Sequence, residues 1–169
     1  MARSIFSIAS LCSLMLLVSC SHTPPYRYEY VAGKTAMLNA GIAILPPKAP
    51  ASVLQALEAG NRIVGKPYIY GGGHGLFEEK GYDCSGTASY VLHHAGFLKT
   101  SAASDEFRNF GKPGKGEWIT VYAKRGHVFT VVAGLRLDTG YFSDRHDGPG
   151  WSTASRPTDG FVMRHPDGY

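Results

Sequence analysis

The hydrophobic period of this chain changes once, and that change restricts its fold more than any other feature. In "ASVLQALEAGNRIVGKPY" the apolar residues Val53, Leu54, Leu57, Ile63 and Val64 fall near helical spacing, and Gly65 with Pro67 ends the run. "CSGTASYVLHHAGF" repeats the pattern with Ala88, Val91, Leu92 and Ala95, and Gly96 stands where a helix would stop. From Trp118 onward the runs are β-rich: "EWITVYAKRG", "HVFTVVAG", "LRLDTGYF" and "GFVMRHP", separated by glycine or charge. Two helices followed by a run of strands predict an α+β fold with an antiparallel sheet. The 169 residues, of ordinary globular composition, amount to one domain.

The first twenty residues are read separately. "MARSIFSIASLCSLMLLVSC" carries one positive charge, Arg3, then an apolar run too short for a comfortable membrane span, then small residues. This predicts a secretory signal peptide over residues 1–19. Its end, "LVSC", resembles the lipobox of bacterial lipoproteins, which implies that Cys20 is lipidated and becomes the mature N-terminus. Ser21 beside it is similar to lipoproteins sorted to the outer membrane of a Gram-negative host. Residues 20–50 are then expected to be a tether and N-terminal extension. Residues 21–35 are polar, and "LPPKAPAS" is proline-rich, while "TAMLNAGIAIL" between them is apolar enough to pack on the domain. The main domain is expected over residues 51–169.

Export changes the cysteine arithmetic. Of three cysteines, Cys12 leaves with the signal peptide and Cys20 is blocked by lipid, so Cys84 is the one free thiol of the mature chain. Three are too few for a disulfide framework, and an odd thiol in an oxidising compartment needs a reason, either burial or catalysis. Cys84 opens the second helix, with Asp83 or Ser85 as its cap. A helix N-terminus favours the thiolate over the free thiol, whose ordinary pKa is about 8.5, and exposes backbone N–H groups that can stabilise an oxyanion. The net charge of +4 is mild and its lysines and arginines are scattered, which gives no nucleic-acid stripe. The Gly71–Gly73 run lacks the Gly-Lys-Ser/Thr ending of a phosphate loop, and neither Cys-x-x-Cys nor His-Glu-x-x-His is present for zinc.

A thiolate also needs a base, and seven histidines are available. His22 lies in the tether, His165 in the tail, and His93 and His94 are almost three turns along the helix of Cys84. His74 in the glycine loop and His146 in a polar loop remain open. His127 differs, because it heads the apolar strand "HVFTVVAG" directly after a charged turn. A sheet presents such a residue rigidly to a cleft.

Taken together, "GKPYIYGGG", "GYDCSGTASYVLHHAGFL" and "RGHVFTVVAG" resemble the NlpC-type family of bacterial cell-wall cysteine peptidases. The resemblance covers roughly residues 53–165. It implies a papain-like α+β fold, with the cysteine helix packed on a sheet that carries the histidine, and it implies no metal or cofactor. It also implies hydrolysis of peptidoglycan stem peptides, commonly between D-glutamate and a diamino acid. With the lipobox at Cys20, the expectation is a monomer anchored in the membrane through that residue and facing the cell wall. By position, Cys84 is similar to the nucleophile, His127 to the base, and Tyr68 to a tyrosine that lines the site. Asp83 and Ser85 are similar to residues that contact the free amino end of the stem peptide. Two departures stand out: "KRGH" where the family usually has Gly-Asp before the histidine strand, and Asp138 where the third polar residue is usually His, Asn or Gln. The alternative is a catalytically weak or inactive lipoprotein of the same fold that binds cell wall without cutting it. A permuted acyltransferase relative is disfavoured, because there the histidine precedes the cysteine.

Overall fold

The computed structural model describes residues 23–140 and 148–169. The signal segment with Cys20, and the loop carrying His146, lie outside the described residues. The chain is α+β. Two strands, β1 (Met37–Asn39) and β2 (Ile42–Ile44), form a small hairpin ahead of helix α1 (Ala51–Ile63) and helix α2 (Cys84–His94). A 3₁₀ turn (Glu106–Asn109) follows, and then the remaining strands: β3 (Lys112–Pro113), β4 (Ile119–Lys124), β5 (His127–Val132), β6 (Leu135–Asp138), β7 (Gly150–Ser152) and β8 (Val162–His165). They pair antiparallel in the order β3-β8-β4-β5-β6-β7.

The two helices form where the helical period predicts them. α1 buries Val53, Ala56, Leu57, Ala59, Gly60 and Ile63. Gly60 is there for closeness, since a Cβ at that position would lie 2.3 Å from Trp151 of β7. α2 ends at Gly96, whose φ of +81° supplies the left-handed turn that stops a helix. Both helices cover one face of the sheet, where Val121, Ala123, Val128, Val132, Leu135 and Leu137 complete the main core.

The other face is not bare. Tyr122 stacks on Phe129 at 4.6 Å, and with Val131 and Phe161 they form a second buried cluster closed by Tyr26. Here the structure corrects the tether expected over residues 21–35. From Thr23 on, this segment is strapped across the sheet. Thr23 Oγ1 donates to the Phe161 carbonyl, Tyr26 pairs with Arg156 through both backbone groups, and the Tyr26 hydroxyl donates to the Gly134 carbonyl at 3.0 Å. The polar residues of "TPPYRYEY" hide a tyrosine with only 4% of its surface exposed, and that burial overrides the polar composition. The expected packing of "TAMLNAGIAIL" takes the form of the β1–β2 hairpin, held to α1 by Asn61, which accepts from Ala43 N and donates to Ala43 O.

Two tight hairpins set the register of the site. Arg125–Gly126 joins β4 to β5, closing on the Lys124–His127 pair. Ala133–Gly134 joins β5 to β6 with φ of +46° and +78°, the positive pair that a two-residue turn between twisted strands requires. With that turn fixed, Val131 faces Arg136. Side chains two residues apart share a face, so His127, Phe129, Val131, Arg136 and Asp138 all lie on one side of the sheet.

Candidate active site

α2 begins at Cys84 because Asp83 caps it. Asp83 is extended, and its Oδ1 accepts the Gly86 N–H at 2.7 Å. The expectation left Asp83 and Ser85 as rival caps, and Asp83 fills the role. Its carboxylate also reaches back to the glycine loop, where Oδ2 accepts Gly71 N–H at 2.9 Å. The loop lies so close over the helix start that a Cβ on Gly86 would sit 1.9 Å from the Gly72 carbonyl oxygen. Two more of its amides meet a carboxylate: Glu79 accepts from Gly73 N–H at 3.0 Å and Gly75 N–H at 2.8 Å. The glycines thus serve close packing, and the anions bound to the loop are the chain's own carboxylates.

Cys84 is buried, with 9% of its surface exposed. Helix α2 packs on β5, which brings the sulfur to the end of the strand that His127 opens. His127 hydrogen-bonds Asp138 through Nε2 at 2.8 Å, and Cys84 neighbours the same ring. Burial alone would pull the imidazole's pKa down. The hydrogen bonds to Asp138 and Cys84, with their charges, outweigh it and raise the pKa from 6.5 to about 9. At neutral pH the ring is therefore a cation beside the sulfur. The first turn of α2 turns its positive end toward the same place.

Tyr68 belongs to the same place. Residues 67–72 run beside 81–83, with Tyr82 N–H donating to the Pro67 carbonyl and a bridge between Tyr68 and Tyr82. The Tyr68 pKa is raised by partial burial and then by Cys84 and Asp83 close by. Tyr68 itself stays 41% exposed. The structure thus brings Cys84, His127, Asp138, Tyr68, Asp83 and Ser85 together around one helix start.

His74, an open candidate for the base, is occupied elsewhere. Its Nε2 lies 3.3 Å from Asp83 Oδ1 and 3.2 Å from Ser85 Oγ, while Ser85 Oγ itself donates to Asp83 Oδ1 at 3.0 Å. Asp83 and Ser85 are both buried. Two residues escaped the sequence reading. Arg136 Nη1 donates to Asp138 Oδ2, and Arg156 Nη1 lies 3.0 Å from the same oxygen. Arg136 carried a readable signal, a charge inside the apolar run "LRLDT" two residues from an opposite charge. Arg156, in "TASRPTDG", carried none. Among the described residues, no group of three or more His, Cys, Asp or Glu side chains is placed to hold a metal ion.

Compared with known protein families the chain matches no family model, and it matches no curated protein.

Proposed function

We propose that this protein is a papain-like cysteine peptidase of the NlpC type that hydrolyses amide bonds in peptidoglycan stem peptides, with the bond between D-glutamate and a diamino acid as the expected target. One observation carries the reading: the sole described cysteine starts a helix and shares a histidine with a buried aspartate. That is a nucleophile, a base and an orienting group in contact order.

The chemistry follows from the placement. The Cys84 thiolate attacks the scissile carbonyl carbon, and the carbonyl oxygen becomes an oxyanion at the start of α2, where the helix dipole and backbone N–H groups stabilise it. The C–N bond breaks as His127 gives its proton to the leaving amine, which leaves a thioester on Cys84. His127, now neutral, takes a proton from water as the water attacks the thioester, and the thiolate–imidazolium pair is restored. Asp138 holds the imidazole through Nε2, which leaves the other ring nitrogen for proton exchange with sulfur and the leaving amine. Tyr68 lines the entry, and Asp83 and Ser85 favour a substrate with a free stem-peptide amine. Lipidation at Cys20 places this activity at a membrane, facing the cell wall.

The test is mass spectrometry of muropeptides digested with wild type and with Cys84→Ser. New stem-peptide fragments from wild type alone support the reading. Retention of intact stem peptide on the protein without any cleavage by wild type supports instead a wall-binding protein of the same fold.

A further inference from the structure

Asp138 divides its two oxygens between different partners. Oδ1 takes His127 Nε2 and the Thr139 backbone N–H, each at 2.8 Å. Oδ2 accepts from Nη1 of Arg136 and forms an ion pair with Nη1 of Arg156 at 3.0 Å. The side chains of Arg136 and Asp138 are fully buried, and that of Arg156 is 9% exposed. Burying three charges is costly unless the geometry is fixed and the hydrogen bonds are made.

Aromatic packing fixes it. The Arg136 guanidinium lies 5.7 Å from the Tyr26 ring, and that of Arg156 lies 5.0 Å from Phe129 and 5.7 Å from Phe161. Phe161 in turn meets the His127 ring edge-on at 6.1 Å. The N-terminal strap closes the arrangement, because Tyr26 both covers Arg136 and pairs its backbone with Arg156.

The Asp138 carboxylate thus serves two guanidiniums as well as the imidazole. A carboxylate facing an imidazole alone would spend all its attraction on the protonated ring. An imidazole that holds its proton too tightly fails as the acid for a leaving amine. The guanidiniums compete for the same carboxylate and oppose a third positive charge beside them.

We propose that Arg136 and Arg156 are positioning residues that act on His127 through Asp138, fixing Oδ1 toward the ring and taking up part of the carboxylate's charge, so that the imidazole keeps its proton beside Cys84 and can still release it. The last clause rests on the peptidase reading, and the placement does not. Among the described residues, the charged and titratable groups that face His127 are Cys84 from α2, Asp138 from β6, and Lys124, its partner on β4, whose Nζ sits 4.5 Å from the Phe161 ring. Those around Asp138 are the two arginines, His127, and Tyr26 against Arg136.

The experiment is an NMR titration of the His127 ring in the full chain, with its signal assigned by loss in His127→Gln. It compares wild type with Arg156→Gln, Arg136→Gln and Arg156→Lys, each checked for native fold by its amide spectrum. Removing one guanidinium charge moves the His127 titration upward by about half a pH unit or more. Arg156→Lys, which keeps the charge, moves it by less than half as much. Arginines that only pack the sheet face would leave the titration where it is. An unmoved or downward-shifted titration in a folded glutamine variant overturns the inference. Glutamine at two separate positions keeps it open to that result should one variant fail to fold. The titration needs no substrate, so a wild type without hydrolytic activity would refute the peptidase reading and leave this measurement standing.

Discussion

Two aspartate–histidine pairs flank Cys84, and they differ in almost everything but composition. Asp83 meets His74 at 3.3 Å in a glycine loop, with the histidine side chain 31% exposed. Asp138 meets His127 at 2.8 Å at the end of a central strand, with the histidine side chain 20% exposed and the aspartate fully buried. The other donors to Asp83 are neutral: the N–H groups of Gly71 and Gly86 and the Ser85 hydroxyl. The other partners of Asp138 include two guanidiniums. Surroundings, and not residue type, decide what each carboxylate does. Asp83 fastens a loop to a helix and so aims the sulfur. Asp138 controls the charge and direction of an imidazole.

The largest expected effect comes from breaking the second pair. Asp138→Ala frees His127 and leaves two buried arginines without their shared carboxylate, so turnover falls by about 10²–10⁴-fold and stability by about 3–5 kcal/mol. Chemical unfolding beside muropeptide turnover checks both. Asp138→Asn keeps the shape and should lose more turnover than stability. Equal turnover in Asp138→Ala and wild type would remove Asp138 from the site.

The next effect is a pH dependence that only the second pair should generate. The His127 pKa is raised from 6.5 to about 9 in the folded chain. A raised pKa contributes stability that is fully present below pH 6.5 and is lost as pH rises through about 9. At about 1.4 kcal/mol per unit this is on the order of 3 kcal/mol. Urea unfolding at pH 6 and pH 10 should show the drop in wild type and a much smaller one in His127→Gln. The same drop in both would assign it to other groups.

Breaking the first pair is milder. Asp83→Ala removes the cap of α2 and the tie to Gly71, at a cost of about 1–2 kcal/mol. It should also narrow the preference for free stem peptides over sugar-linked ones, read from competitive digestion of the two. An unchanged preference would confine Asp83 to the cap. His74→Ala is the smallest change, with turnover expected within about threefold of wild type, because its ring contacts Asp83 and Ser85 and neither depends on it alone.

Much of this contrast was legible in the sequence, and the rest was not for physical reasons. The helices, the strands from Ile119 to Asp138, and the placing of Cys84 and His127 follow from periodicity and turn residues, which act locally. Asp138 was legible as a polar residue in an apolar run, but its face depended on strand register. That register rests on the Ala133–Gly134 turn, where Ala133 takes a left-handed conformation that its residue type does not announce. The two-residue strand β3 and the short β7 lacked enough residues to show a period. The packing of Tyr26 against Arg156 and Gly134 is made across more than a hundred residues, and no local pattern records it. The glycine loop was legible as a loop, while the carboxylates that fill it emerged only once the chain had folded back on itself.

Of the two histidines beside Cys84, His127 and not His74 is expected to set its reactivity. The rate of Cys84 alkylation by iodoacetamide from pH 5 to pH 10 tests it most directly, in wild type, His127→Ala and His74→Ala. Wild type should stay reactive at pH 6, His127→Ala should be slower there by about tenfold or more, and His74→Ala should lie within about twofold of wild type. A wild-type rate that climbs tenfold per pH unit up to about 8.5, as an ordinary thiol does, or a loss confined to His74→Ala, would contradict it.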